Sequence, residues 1–211
     1  MMSNIHSKSN LIVLITIVMG SLLMGCRQSI AETSYRSYLQ DTKNGLTLTR
    51  ELEETTTICA YRPPDLLVAQ ELNTAEQVAT PVIIDSLRQT YAGKTYIALS
   101  LAQQGQEIEN QFITNQNALA QAVSYLNNGI VQDVFLAPLS TPTDSMTAYA
   151  AIYPRLYGGT GRSTVLLVFD TSRIDLTKGF RVSYRDTQFQ LAPVSFTFTA
   201  AALSALPVLR F

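Results

Sequence analysis

From residue 130 onward the chain is a succession of short apolar runs, each stopped by Gly, Pro or Asp. That punctuation constrains the fold more than any other feature. The runs cover residues 130–137, 146–153, 164–170, 180–184 and 194–198. All are too short for typical helices and are spaced as strands of a sandwich or curled antiparallel sheet would be. The first half carries the same signal. Leu46-Thr47-Leu48-Thr49-Arg50 alternates apolar and polar after the turn pair Asn44-Gly45, and Glu53-Glu54-Thr55-Thr56 turns the chain into a second strand over 57–62. Pro63-Pro64-Asp65 interrupts it, and Leu66-Leu67-Val68-Ala69 is expected to resume extended structure on an edge, where a missing donor is tolerated. Residues 94–102 form the clearest strand, closed by the hairpin-type turn Gln103-Gln104-Gly105-Gln106.

Two helices interrupt this pattern. Thr80 supplies an N-cap and Pro81 a first helical residue, with Val82, Ile83, Leu87 and Tyr91 near one face and Gly93 at the end. The second spans 115–127, with Leu119, Ala122, Val123 and Leu126 as its stripe and Asn127-Asn128-Gly129 as a left-handed close. The expected fold is therefore α+β, mainly β. It is an antiparallel sheet or β-sandwich of about eight short strands with two inserted helices, forming one globular domain over 44–211. There is no internal repeat and no low-complexity tract.

The N-terminus obeys different rules. A polar stretch with Lys8 as its only charged side chain precedes an apolar run over 11–24. That layout is a secretory signal, and the run is shorter than the roughly 20 residues a helix needs to cross a bilayer. Leu23-Met24-Gly25-Cys26 resembles the lipobox of bacterial lipoproteins, with Met24 larger than the residue usual there. The resemblance covers only these first residues. It implies diacylglycerol on the Cys26 thiol and cleavage before Cys26, so residues 1–25 are a signal peptide and 26–43 a polar tether. It also implies a cell-envelope, periplasm-facing address, and Arg27 in place of a retaining Asp favours the outer membrane if the cell is Gram-negative. One acyl chain anchors only marginally, so the two or three chains of this class make a stable anchor.

Composition excludes several chemistries. The formal charge is −1 and no basic block appears, so no nucleic-acid partner is expected. With Cys26 consumed by lipid, Cys59 has no partner for a disulfide within the chain, and its apolar surroundings point to a buried thiol. The only histidine, His6, lies in the signal, leaving no imidazole for a catalytic triad or for zinc. No cofactor and no metal are expected.

Three stretches compete as sites. Gly158-Gly159-Thr160-Gly161-Arg162-Ser163-Thr164 looks faintly like a phosphate loop, but Arg replaces Lys and a strand follows, so a hairpin connection is expected. Tyr149, Tyr153, Arg155 and Tyr157 would share one face of an extended strand, and Tyr and Arg are enriched at binding hot spots. Pro154 interrupts that row. Asp170 and Asp175 follow an apolar strand and are the carboxylates a histidine-free glycosidase would need, although Asp-Thr-Ser is also a common turn. The expected function is a membrane-anchored, non-catalytic binding or accessory module working with an envelope protein partner or a surface ligand. The alternatives are a carboxylate-dependent enzyme on envelope glycans and a permanent structural subunit of a secretion or transport assembly.

Overall fold

The computed structural model describes residues 28–156 and 159–211. The signal segment, Cys26 and Tyr157 lie outside the described residues. Two antiparallel sheets carry the fold, which is α+β and mainly β. The larger runs in the order β2 (Thr47–Leu52), β3 (Thr55–Arg62), β4 (Lys94–Gln103), β9 (Ser163–Asp170), β8 (Ala150–Ile152), with β5 (Gln106–Glu107) folded back on β4. The smaller runs β11 (Val194–Thr199), β10 (Gly179–Tyr184), β6 (Val134–Pro138), β7 (Met146–Thr147). A separate parallel pair joins β1 (Ser29–Ala31) to β12 (Val208–Arg210). The helices are α1 (Glu32–Gln40), α2 (Pro64–Thr74), α3 (Pro81–Tyr91), α4 (Gln116–Asn127) and the short α5 (Ala200–Ser204).

Strand alternation explains the core. On β11, Val194, Phe196 and Phe198 are buried while Ser195, Thr197 and Thr199 are exposed, the period-2 pattern of a half-covered sheet. The inner faces of both sheets meet in one cluster that includes Cys59, Leu99, Val165, Leu136, Phe180 and Phe196. Tyr61 of β3 packs edge-on to Phe180 of β10 at 5.9 Å between ring centroids, which ties one sheet to the other. Ala122, Tyr125 and Leu126 of α4 complete the same core. Buried Asp133 accepts hydrogen bonds from Tyr125 Oη at 2.6 Å and from the Thr187 amide at 2.9 Å, and Asp186 accepts from the Phe189 and Leu191 amides. These carboxylates pin the 185–191 loop over α4.

Both expected helices are present, with their caps. Thr80 Oγ1 accepts from the Ile83 amide and Asn115 Oδ1 from the Ala118 amide. Two details differ. Val82 is 80% exposed and Ile84 is buried in its place, so the apolar face of α3 is rotated. Asn128 has φ −137°, and the chain passes directly into a tight 3-10 turn over Gly129–Gln132 rather than a left-handed cap. Gly129 is there for another reason: a Cβ would stand 2.8 Å from the Tyr125 ring.

Three expectations need correcting. Residues 66–69 are not extended but lie in α2, where Leu66, Leu67, Val68, Ala69 and Leu72 are all buried. This helix is enclosed on several sides. Leu66 and Ala69 face α1, Val68 and Leu72 face Ile84 of α3, and Leu67 lies on Tyr96 and Val168 of the larger sheet. A helix buried all round loses its amphipathic period, and its apolar run is then indistinguishable from a strand. The 26–43 tether is folded from Ser29 onward, because Tyr35 and Leu39 of α1 are 1% and 3% exposed in a core shared with Leu46, Leu66 and Leu209. Finally, 146–153 is not one strand. β7 belongs to the smaller sheet and β8 to the larger, so the chain crosses between sheets at Ala148 and Tyr149.

Candidate functional site

That crossover dismantles the tyrosine row. Tyr149 is 56% exposed and lines a shallow cavity of about 280 Å³ with Gly93, Lys94, Asp170 and Ser172. Tyr153 turns inward and is 7% exposed. Its hydroxyl donates to Glu109, as does the hydroxyl of Ser163, and Arg155 Nε lies 3.9 Å from the same carboxylate. Ser163 Oγ in turn accepts from the Ile108 amide at 2.9 Å. Glu109 and its neighbour Glu107 are 0% and 2% exposed. Burial, and then the bond to Glu109, push the Tyr153 phenol well above its usual value.

A buried carboxylate persists only when hydrogen-bonded and paired. Here the partners come from the exit of β8 and the start of β9, and Glu109 follows β5, so the cluster clamps both ends of the 153–163 connection to the β4–β5 hairpin. Gly161 completes the clamp. It has φ +65°, and a Cβ there would stand 2.7 Å from the Gly105 carbonyl oxygen. Tyr153 and Arg155 are thus spent on an internal lock, and Tyr149 stands apart from them. Neither Glu107 nor Glu109 was singled out from sequence. Their sole signal is an acid repeated at i and i+2 around Ile108, a pattern equally common on exposed turns.

The carboxylates proposed for glycan chemistry are exposed and occupied. Asp170 Oδ1 accepts from Ser172 Oγ at 2.7 Å and the Ser172 amide at 3.1 Å; Asp175 Oδ1 accepts from Thr177 Oγ1 at 2.5 Å and the Thr177 amide at 2.8 Å. Those bonds hold both carboxyls below their usual range. Cys59 is fully buried, and burial drives its thiol well above the ordinary value, so it is poorly nucleophilic in the folded protein. Among the described residues no group of three or more His, Cys, Asp and Glu side chains is placed to hold a metal ion.

A further open surface was not anticipated from the sequence. Helix α2, with Tyr91 at the end of α3, packs on the outer face of the larger sheet around Tyr96 and Val168, with Ala150 and Leu166 at the margin. Beside them the ladder sets Thr47 opposite Ala60, Ala60 opposite Ala98, and Ala98 opposite Leu166. The next outward row is Thr49, Ile58, Ser100 and Thr164, with Ser100 Oγ 2.8 Å from Thr164 Oγ1. Small side chains on these rows leave a groove of about 520 Å³, with Gln40 and Thr42 at one side and Arg62 and Arg162 on its walls. No carboxylate lines it. Neither guanidinium makes a hydrogen bond or ion pair among the described residues. Burial, and then the positive charge of Arg36, pull Arg62 below the usual guanidinium value, so its charge is poorly compensated. The arrangement can bind and orient a ligand; it offers no acid, base or nucleophile with an evident chemical task. The chain matches no family model, no curated protein and no solved structure.

Proposed function

We propose that this protein is a lipid-anchored component of the bacterial envelope that binds a ligand without transforming it, and that the groove on the outer face of the larger sheet is the ligand seat. The observation that carries the binding reading is the uncovered part of that sheet, where two arginines without a partner among the described residues flank a floor of Thr, Ala, Ser and Ile58. A sheet face built only to be solvated has no need of a half-buried, uncompensated guanidinium group such as that of Arg62. The anchoring reading is supported by Leu23-Met24-Gly25-Cys26 after a signal-length apolar run, and Arg27 favours the outer membrane in a Gram-negative cell. Glycan hydrolysis by Asp170 and Asp175 has weaker support, since each carboxylate serves its own turn.

The anchor is tested by labelling cells with a clickable palmitate analogue and fractionating the membranes. Label and membrane association should both vanish in Cys26→Ala. Retention of either sinks lipidation at this residue. The seat is tested by Ala98→Trp, which fills the groove floor from a half-buried, outward position. Cells carrying it should reproduce the phenotype of the deletion at unchanged protein level and location. Wild-type behaviour would remove the groove from the function.

A further inference from the structure

Resting on the reading of the groove as the ligand seat, we propose that its ligand is an elongated oxyanionic molecule, with one carboxylate or phosphate group held at Arg62 and another at Arg162. The register of the sheet sets the spacing. Arg62 lies opposite Tyr96 on β4, whereas Ser163, the residue after Arg162, lies opposite Leu101. Five residues of strand separate these positions, about 17 Å at the usual rise, and β3 and β9 stand on either side of β4. The two arginines therefore bracket the groove from opposite ends. An anion the size of phosphate meets one of them at most; a chain lying along the groove meets both.

The floor suits such a chain. Ala60 and Ala98 project too little to hold a ligand away from the sheet, and the Ser100 and Thr164 hydroxyls keep hydrogen-bonding capacity beyond the bond they share. The guanidinium fork matches carboxylate and phosphate oxygens in a two-pronged geometry that an ammonium cannot supply. No acid on the walls repels an anion or competes for either arginine. Burial and the nearby charge of Arg36, which pull Arg62 below the usual guanidinium value, agree with a cation short of counter-charge, which a bound oxyanion would supply.

The experiment uses the full lipidated protein in mild detergent and three fluorescent probes: hexameric oligogalacturonate, short-chain polyphosphate and neutral maltohexaose. At least one anionic probe should bind, weakening as salt is raised, and the stronger of the two identifies carboxylate or phosphate as the oxyanion. Arg62→Gln and Arg162→Gln should each weaken binding tenfold or more, Arg62→Lys by less, and Ala98→Trp should abolish it. Arg162 is exposed, so its variant carries the charge test even if Arg62→Gln perturbs folding. If neither anionic probe binds, or both Arg→Gln variants bind normally, the anion assignment is overturned. Maltohexaose binding that is blocked by Ala98→Trp and indifferent to both arginines would overturn it while leaving the seat intact. Binding indifferent to Ala98→Trp would overturn both.

Discussion

Glu109 is the residue that gathers Tyr153, Arg155 and Ser163 into one buried cluster. Its carboxylate is fully buried and receives two hydroxyl donors, from Tyr153 and Ser163, with Arg155 close by. Removing one donor leaves a buried acceptor short of a partner, which costs on the order of 1–3 kcal/mol. Tyr153→Phe should therefore lower the unfolding free energy by that amount, read as a lower urea midpoint at unchanged slope. Ser163→Ala should cost at least as much, because Ser163 Oγ also receives the Ile108 amide. A loss below about 0.5 kcal/mol for both would show that the cluster is not a lock, since that is the usual scale of an inert surface substitution. Tyr153 was legible in the sequence as an unusual residue, but its role was not. Spacing places a side chain on a face, whereas which face is inside depends on strands distant in the chain.

At the scale of elements, α1 decides where the folded domain begins. Its residues 32–40 are mostly polar, and only Tyr35 and Leu39 are buried, four apart on one helical face. Two apolar positions in a nine-residue helix are a faint signal, which is why composition suggests a tether. They become significant because Leu46, Leu66, Ala69 and Leu209 stand opposite them. Leu39→Ala should destabilise the protein by about 2–5 kcal/mol, the range for a buried leucine truncated to alanine. Thermal unfolding of the variant measures this, and a shift within error of wild type would mean that α1 is an accessory to the fold. The capped helices α3 and α4 were readable because capping is local, requiring only Thr80 or Asn115 and the amides three residues on. The enclosed helix α2 was not, because its three contacting surfaces lie in α1, α3 and the larger sheet.

At the scale of the whole molecule, the early start of the fold among the described residues bears on how the proposed lipid anchor would hold the domain. The Gln28 carbonyl already accepts the Val208 amide at 3.0 Å, so the parallel β1–β12 pair is engaged two residues after Cys26. Two extended residues reach about 7 Å. With lipid on Cys26, as proposed, the β1–β12 end of the domain is held against the headgroups. In nanodiscs containing spin-labelled headgroups, amide signals of Ile30 and Leu209 should broaden strongly. Inserting a flexible linker of about 20 residues between Arg27 and Gln28 should relieve it, since such a chain has a root-mean-square span of about 25 Å. Equal broadening with and without the linker would mean that the domain lies on the membrane for some other reason.

The sequence by itself determined what is local. It carried the lipobox-like run on which the proposed anchor rests, the mainly β character with capped helices, and the single histidine, His6, because each needs only neighbouring residues or a count. The tertiary structure decided everything that depends on which segments become neighbours. It split 146–153 between two sheets, turned Tyr153 toward a buried Glu109, buried α2 on several sides, and left the Thr47–Ala60–Ala98 rows uncovered between two arginines. Strand alternation specifies two faces but not which one a helix will cover. The groove exists because α2 and α3 pack around Tyr96 and Val168, and the rows of Ala60, Ala98, Ser100 and Thr164 lie beyond them.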